Sequence, residues 1–270
     1  MELFGNEAVI QVDDVVKEFT QIDGNIVTAV DHASFSVKSG EIFGILGPNG
    51  AGKTTTLRMI STVMNPTSGK VKVAGLDTSK KPREIRNQIG FLSGSTGLYK
   101  RLKAYEMVEY FGNLYNMPQE KLKERTDKLF EILKLEEFRD VLCEKLSSGN
   151  KQKVSIARTV IHDPPILVFD EPTTGLDVII AENLLDFIEG LKREKKTIIF
   201  STHIMEEAER LCDRIALISN GKILFTGTLK EILTRATEIA GSEIKTLKQA
   251  FFSFVQYKQV GSVLPEKEMF

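Results

Sequence analysis

Residues 47–54, Gly-Pro-Asn-Gly-Ala-Gly-Lys-Thr, constrain the fold of this chain more than any other stretch. They match G-x-x-x-x-G-K-[ST] in full, a pattern that surrounds a phosphate with backbone N–H groups, a lysine and a hydroxyl. The apolar run 42–46 precedes them, and Leu57 and Ile60 follow at helical spacing. The glycines are therefore predicted to lie in a turn from a buried strand into a helix. The alternative is a glycine-rich turn that merely connects the two elements.

This loop can bind phosphate for physical reasons. Glycines have no side chain to keep an anion away and can adopt positive φ, so successive N–H groups can point at one anion. The helix that follows adds unpaired N–H groups and the positive end of its dipole. Lys53 can reach the β- and γ-phosphates, and the Thr54 hydroxyl can ligate Mg²⁺. The predicted phosphate-binding residues are Gly47, Pro48, Asn49, Gly50, Ala51, Gly52, Lys53, Thr54 and Thr55.

Composition narrows the class of protein. The chain has 270 residues, 41% of them hydrophobic, which is enough for one large α/β domain or two small ones with a proper core. Its net charge of −1 argues against a nucleic-acid partner, which would need a basic surface. Cys143 and Cys212 lack the spacing of a disulfide framework or a thiolate metal site. The N-terminus lacks a signal pattern, and no apolar run approaches the ~20 residues of a membrane span, so we expect a cytoplasmic protein.

Hydrophobic patterns predict strands alternating with helices. From residue 104 to about 162 the pattern is helical almost throughout, and no linker composition flanks it, so we expect a helical insertion within one domain. Asn220-Gly221 predicts a hairpin turn. The predicted crossover helix covers 183–192. Strands are predicted at 8–16, 33–38, 42–46, 70–74, 89–92, 166–170, 197–203, 214–219 and 222–226.

Three polar side chains lie at the ends of the two most apolar strands. Asp170 ends strand 166–170 at the sheet edge where the phosphate loop also opens, so its carboxylate is expected to hold Mg²⁺ through water. Glu171 follows directly and can polarise the water that attacks the γ-phosphorus. His203 ends the next strand, where it can hydrogen-bond the γ-phosphate or position the water. Without the phosphate loop, a helix cap or a surface acid would explain the two carboxylates.

Two further candidates lie away from the phosphate loop. The segment 146–150, Leu-Ser-Ser-Gly-Asn, opens a predicted helix whose free N–H groups and hydroxyls form a second anion site. An ordinary N-cap would explain Ser147 equally well. Phe19, at the end of the first strand, can stack on an adenine ring or belong to the core.

The order and spacing of these segments resemble the nucleotide-binding subunit of an ABC transporter, from about residue 8 to residue 234. The motifs that carry the resemblance are Walker A at 47–54, the signature at 146–150, Walker B at 166–170, Glu171, the D-loop at 175–177 and His203. The resemblance implies an α/β fold. Its parts would be a P-loop NTPase core with a RecA-like parallel sheet, an N-terminal antiparallel β-subdomain and an inserted α-helical subdomain at about 95–163. The ATPase domain would cover 8–235, and 236–270 would form a C-terminal extension.

The resemblance also implies ATP and Mg²⁺ as ligands and a head-to-tail dimer. Each ATP would lie between Walker A of one cassette and the signature of a second copy or a similar cassette. The implied residues are Thr54 and Asp170 at the metal; Lys53, Glu171 and His203 in catalysis; and Phe19, Ser147, Gly149 and Asp177 at the nucleotide, beside the loop residues named above.

Two positions depart from the family pattern. The signature reads Leu-Ser-Ser-Gly-Asn where the family usually has Leu-Ser-Gly-Gly-Gln, although Ser147 and Gly149 are retained. Gly94 stands where most members have the Gln that contacts Mg²⁺ and the attacking water, which leaves open how a transport partner controls hydrolysis. Residues 95–102 resemble the sodium-efflux and drug-efflux branch of bacterial cassettes.

Three functions are compatible with these features. The leading one is an ATPase subunit, peripheral on the inner face of the cell membrane, that powers a separate integral membrane permease, for export. A soluble cassette ATPase acting on DNA or ribosomes is disfavoured by the single cassette, the lack of sustained heptads and the net charge. A regulatory cassette that only binds nucleotide is disfavoured by Glu171 and His203, while Gly94 keeps it open. A polytopic membrane protein encoded next to this chain would favour the first function.

Overall fold

A computed structural model describes residues 8–94 and 97–259 of the chain. Two residues of the efflux-like segment, Ser95 and Thr96, and positions 260–270 of the predicted extension lie outside the described residues. The elements are β1 (Ala8–Thr20), β2 (Ile26–Lys38), β3 (Ile42–Leu46), α1 (Lys53–Ile60), β4 (Ser68–Val73), β5 (Leu76–Asp77), α2 (Pro82–Arg86), β6 (Ile89–Leu92), α3 (Ala104–Leu114), α4 (Gln119–Ile132), two 3-10 turns (Glu136–Phe138 and Cys143–Lys145), α5 (Ser148–Val160), β7 (Ile166–Asp170), α6 (Val178–Arg193), β8 (Thr197–Thr202), α7 (Met205–Leu211), β9 (Arg214–Ser219), β10 (Lys222–Gly227), α8 (Leu229–Ala240) and α9 (Leu247–Gln259).

The smaller sheet is antiparallel, with the strand order β2-β1-β4-β5. The β1–β2 hairpin extends further than the sequence pattern indicates, because pairing continues from Phe19 with Val27 to Thr20 with Ile26. These last pairs lie beyond the buried part of the sheet, so their side chains do not alternate between core and solvent. Hydrophobic alternation therefore could not predict this end of the hairpin.

The larger sheet has the order β10-β9-β3-β8-β7-β6, and its neighbours run parallel except in the β9–β10 hairpin. Strands β3, β7 and β8 are buried throughout because both faces of the sheet are covered. Leu46 pairs with Thr202 and Asp170 with Ser201, so the carboxyl ends of these strands meet at one edge. The parallel-rich sheet and the antiparallel N-terminal sheet confirm the predicted fold class.

The helices α3, α4 and α5, between β6 and β7, share their core with the larger sheet. Phe130 of α4 and Val154 of α5 belong to one buried cluster with Leu167 and Phe200 of the sheet. On the opposite face, Val168 packs in a cluster with residues of α1 and the smaller sheet. A shared core is what a helical insertion within one domain requires.

The helices α8 and α9 pack against the end of the larger sheet formed by β3, β9 and β10. Leu46, the last residue of β3, lies in one buried cluster with Ala236 of α8 and Phe254 of α9. Phe254 also stacks on Phe225 of β10, with ring centroids 5.2 Å apart. The boundary predicted at residue 235 falls inside α8, which continues to Ala240. In the described part of the chain, no helix is both long and apolar enough to cross a bilayer.

Candidate functional site

The loop between β3 and α1 depends on glycine for two different reasons. Gly50 and Gly52 have φ of 79° and 105°, a region that other residues enter only with strain. Gly47 does not have positive φ. A Cβ atom there would instead collide with the carbonyl oxygen of Ile218 on β9. Glycine at position 47 is therefore required by packing against the sheet.

The collision at position 47 predicts that Gly47→Ala destabilises the fold by about 2 kcal/mol or more, because neither the loop nor the β9 backbone can move freely in a packed core. Gly94→Ala is the matched control. Its Cβ would have the carbonyl oxygen of Asp170 as nearest neighbour, at 3.7 Å, so we expect a change within about 0.5 kcal/mol. Urea unfolding measures both values, and equal midpoints for the two variants would contradict the packing argument.

Lys53 and Glu171 form the centre of the site. The Lys53 side chain is 4% exposed, and its Nζ donates to the carbonyl oxygens of Gly47 at 2.7 Å and Pro48 at 3.0 Å. The same Nζ lies 3.0 Å from Oε1 of Glu171. The Lys53 ammonium therefore joins the loop after β3 to the turn after β7.

The second carboxylate oxygen of Glu171 contacts two more side chains. It lies 3.3 Å from Nδ1 of His203, and it accepts a 3.2 Å hydrogen bond from the Thr174 hydroxyl. Partial burial raises the pKa of Glu171, but the hydrogen bond and charge of Lys53, the charge of His203 and the Thr174 hydroxyl together lower it below its usual value. Glu171 is therefore ionised at neutral pH, as a group that polarises water must be.

Asp170 and Thr54 form an oxygen-rich pair beside this cluster. Oδ1 of the buried Asp170 accepts hydrogen bonds from the Thr54 hydroxyl at 3.1 Å and from the Ser201 hydroxyl at 2.8 Å. A carboxylate and a hydroxyl suit Mg²⁺, which takes few protein ligands and completes its shell with water and phosphate oxygens. Within the described residues no group of three or more His, Cys, Asp and Glu side chains is arranged to hold a metal. The pair fits a metal that shares its coordination with a substrate.

Ser201 is a residue that the sequence analysis missed. Besides bracing Asp170, its hydroxyl accepts a 3.1 Å hydrogen bond from the Glu171 N–H. Its position directly after the apolar run 198–200 of the buried strand β8 is the signal that could have identified it, because a buried hydroxyl needs a partner.

Two cavities adjoin at this sheet edge. The loop cavity, about 380 Å³, is lined by Ala29, Asn49, Gly50, Ala51, Gly52, Lys53, Thr54, Thr55 and Glu171. The carboxylate cavity, about 330 Å³, is lined by Thr54, Arg58, Ser93, Gly94, Gln152, Asp170, Glu171 and Thr174. Thr54 and Glu171 line both, so a phosphate in the loop cavity and a cation in the carboxylate cavity would be neighbours.

Four predicted nucleotide-binding residues outside the loop 47–55 do not line either cavity. Ser147 caps α5, where its hydroxyl accepts from the Asn150 N–H at 3.2 Å, and Asp177 caps α6, accepting from the Ile180 N–H at 3.0 Å. Gly149 is buried, and a Cβ there would collide with the Ile180 side chain. Phe19 is 41% exposed on β1, with Nζ of Lys17 5.3 Å from its ring centroid, so it is not a core residue.

Comparisons with known proteins identify the family of this chain. The family described as ABC transporter matches residues 30–174. The ABC transporter ATP-binding protein NatA of Bacillus subtilis is 44% identical over 225 residues, covering 83% of this chain and 91% of NatA. The Nod factor export ATP-binding protein I of Ralstonia nicotianae is 34% identical over 249 residues, covering 90% of this chain and 76% of that protein.

One solved structure that is similar to this chain contains a hydrolysed nucleotide. It is a dimer of an ATP-binding cassette in a post-hydrolysis state, bound to ADP and Pi. The match has a TM-score of 0.75 at 29% identity and covers 82% of this chain and 98% of the solved chain. The chain belongs to the ABC transporter family, as an ATP-binding cassette that hydrolyses ATP.

Proposed function

We propose that this chain is the ATP-hydrolysing subunit of an exporter, bound at the cytoplasmic face of the cell membrane to a separate membrane-spanning permease subunit. The observation that carries the proposal is the contact of Lys53 with Glu171 beside His203, because it joins a phosphate-binding loop to an ionised carboxylate. Export is supported by the relative from Ralstonia nicotianae, which is named for it. The same contact argues against a cassette that only binds nucleotide.

The loop residues 47–55 would hold the triphosphate, with Lys53 exchanging its carbonyl contacts for phosphate oxygens. Thr54 and Asp170 would hold Mg²⁺, which when bound neutralises charge on the β- and γ-phosphates. Glu171 would orient the water and take its proton as the water oxygen bonds to the γ-phosphorus. The bond from the γ-phosphorus to the bridging oxygen then breaks, and ADP leaves with phosphate. His203 would position the water or the γ-phosphate from the other side of Glu171.

The remaining residues would act across a dimer. Ser147 is exposed at the N-terminus of α5, so its hydroxyl and the N–H groups of the first turn are available to the phosphate bound by a second copy or a similar cassette. Gly149, in the first turn of α5, packs against Ile180 of α6, and the exposed Asp177 caps that helix. The post-hydrolysis dimer found by structural comparison supports this arrangement.

Phe19→Ala is expected to raise the KM for ATP about fivefold or more with little change in kcat. An exposed ring that stacks on adenine contributes uniform binding, worth about 1 to 3 kcal/mol, and none of it is specific to the transition state. The exposed Ile26 on the neighbouring strand provides a matched control, because Ile26→Ala removes apolar surface of the same hairpin. Steady-state ATPase assays measure both variants. A collapse of kcat at constant KM would show that Phe19 has no stacking role.

Reconstitution tests the proposed function directly. The test partner is a polytopic membrane protein whose gene adjoins that of this chain. The two proteins would be purified together and placed in proteoliposomes. We expect the pair to copurify, the membrane protein to change the ATPase rate, and ATP to drive substrate out of the compartment that holds the cassette. Failure of the two proteins to associate, with ATPase activity intact, would favour a soluble cassette.

A further inference from the structure

Gln152, on the second turn of α5, contacts the turn that carries the catalytic carboxylate. Its side-chain nitrogen Nε2 donates a 2.6 Å hydrogen bond to the carbonyl oxygen of Pro172, which directly follows Glu171. Because a carbonyl oxygen only accepts, the facing atom of Gln152 must be its amide nitrogen. The bond therefore links the helix that begins at the signature to the Glu171 turn.

The Glu171 turn needs such support because its backbone is strained. Glu171 has φ of +49°, a region that a residue with a side chain occupies only when its surroundings hold it there. Its N–H donates to the carbonyl oxygen of Ser201 at 3.1 Å, and its carbonyl oxygen accepts from the Thr174 N–H at 3.3 Å. Both contacts come from β8 or from the turn itself. Gln152 adds a contact from the helical insertion, 20 residues away in sequence.

The carboxylate cavity shows why this contact matters in this chain. Gly94 supplies no side chain to the cavity, although a Cβ there would meet nothing closer than 3.7 Å. Among the described residues that line the cavity, Gln152 is the one carboxamide. The side-chain amide that contacts the Glu171 turn in this chain therefore belongs to Gln152 of α5, the helix that begins at the signature. Position 94 contributes no amide.

We propose that Gln152 is a positioning residue for ATP hydrolysis, whose hydrogen bond to Pro172 keeps the Glu171 carboxylate against Lys53 and His203. The proposal rests on the ATPase activity of the cassette and not on the identity of the transport partner. Without the bond, the buried Pro172 carbonyl loses its partner, and the strained turn can relax away from Lys53. Misplacement of a reacting group by about 1 Å is enough to lower a rate by up to about 100-fold.

The test replaces Gln152 by Met in the full-length chain, which keeps length and helix propensity but removes the donor. We expect kcat to fall about tenfold and the KM for ATP to change less than about twofold, because the phosphate loop is untouched.

Two variants provide the comparison. Gln119→Met removes a 2.8 Å amide hydrogen bond to Asn113 on the exposed surface of the insertion, and it should keep the wild-type kcat and KM. Gln152→Lys keeps a donor of similar reach and should recover most of the lost kcat. If Gln152→Met does not fold, Gln152→Lys is compared with Gln152→Glu, which has the same length but at neutral pH can only accept.

Three results would overturn the proposal. A wild-type kcat in Gln152→Met is the first. Parallel losses of kcat, ATP affinity and melting temperature, which a general structural role would produce, are the second. Equal activities of the donor and acceptor variants are the third. The wild-type chain is assayed alongside, so an absence of ATPase activity altogether would be recognised as a failure of the enzyme assignment.

Discussion

Glu171→Gln is expected to lower ATP hydrolysis about 10²- to 10⁴-fold, the range that a positioned general base contributes. Glutamine keeps the size of the side chain and can still bond to Thr174. It removes the charge that pairs with Lys53 at 3.0 Å and faces His203, so the attacking water loses its proton acceptor. Steady-state phosphate release measures the effect. The exposed Glu120 on α4 provides a control, since Glu120→Gln should keep the wild-type rate.

The same variant should trap a dimer. Its phosphate loop and signature are intact, so ATP would persist between two chains, and with ATP and Mg²⁺ the protein should run as a dimer in size exclusion. Without nucleotide it should run as a monomer. Adding Ser147→Arg should restore the monomer, because the large side chain fills the N-terminus of α5 where the second phosphate contact would form. A Glu171→Gln protein that stays monomeric at saturating ATP would count against closure of two identical chains and leave an unlike cassette as the partner.

Lys53→Ala is expected to abolish ATP hydrolysis and to weaken nucleotide binding by tenfold or more. Each charge-assisted hydrogen bond to a phosphate contributes about 1.5–3 kcal/mol, and Lys53 is the one basic residue among the described residues that line the loop cavity. The substitution also removes a partner of Glu171, so the pKa of that carboxyl should rise towards its usual value.

Titration with a fluorescent ATP analogue and an ATPase assay measure the two parts of this prediction. Lys72→Ala, on the exposed face of β4, is the control for loss of a positive charge and should behave as wild type. A wild-type turnover number in Lys53→Ala would refute the phosphate-binding role of the loop.

Some features were predictable because the information for them is local. The strand 42–46, the loop and its helix follow from an apolar run, three glycines and a helical pattern that are adjacent in sequence. The β9–β10 hairpin follows from Asn220-Gly221, whose φ values of 49° and 78° suit the turn. The helix α6 begins at Val178, five residues before the predicted start at 183, because Asp177 caps it. An Asp at an N-cap position can be recognised in the sequence. The prediction used the apolar pattern alone, which gives a later start for this helix.

The sequence by itself determined which residue types stand next to one another: the loop glycines before Lys53, and the carboxylates Asp170 and Glu171 after an apolar strand. Only the tertiary structure decided how far apart they lie. The parallel register of β3, β8 and β7 brings Lys53 within 3.0 Å of Glu171, places Ser201 against Asp170 and packs Gly47 on β9. The same fold leaves Ser147 on a separate helix end, outside both cavities. Contacts between residues distant in sequence depend on strand order and register, which the packing of the whole core selects and no single segment encodes.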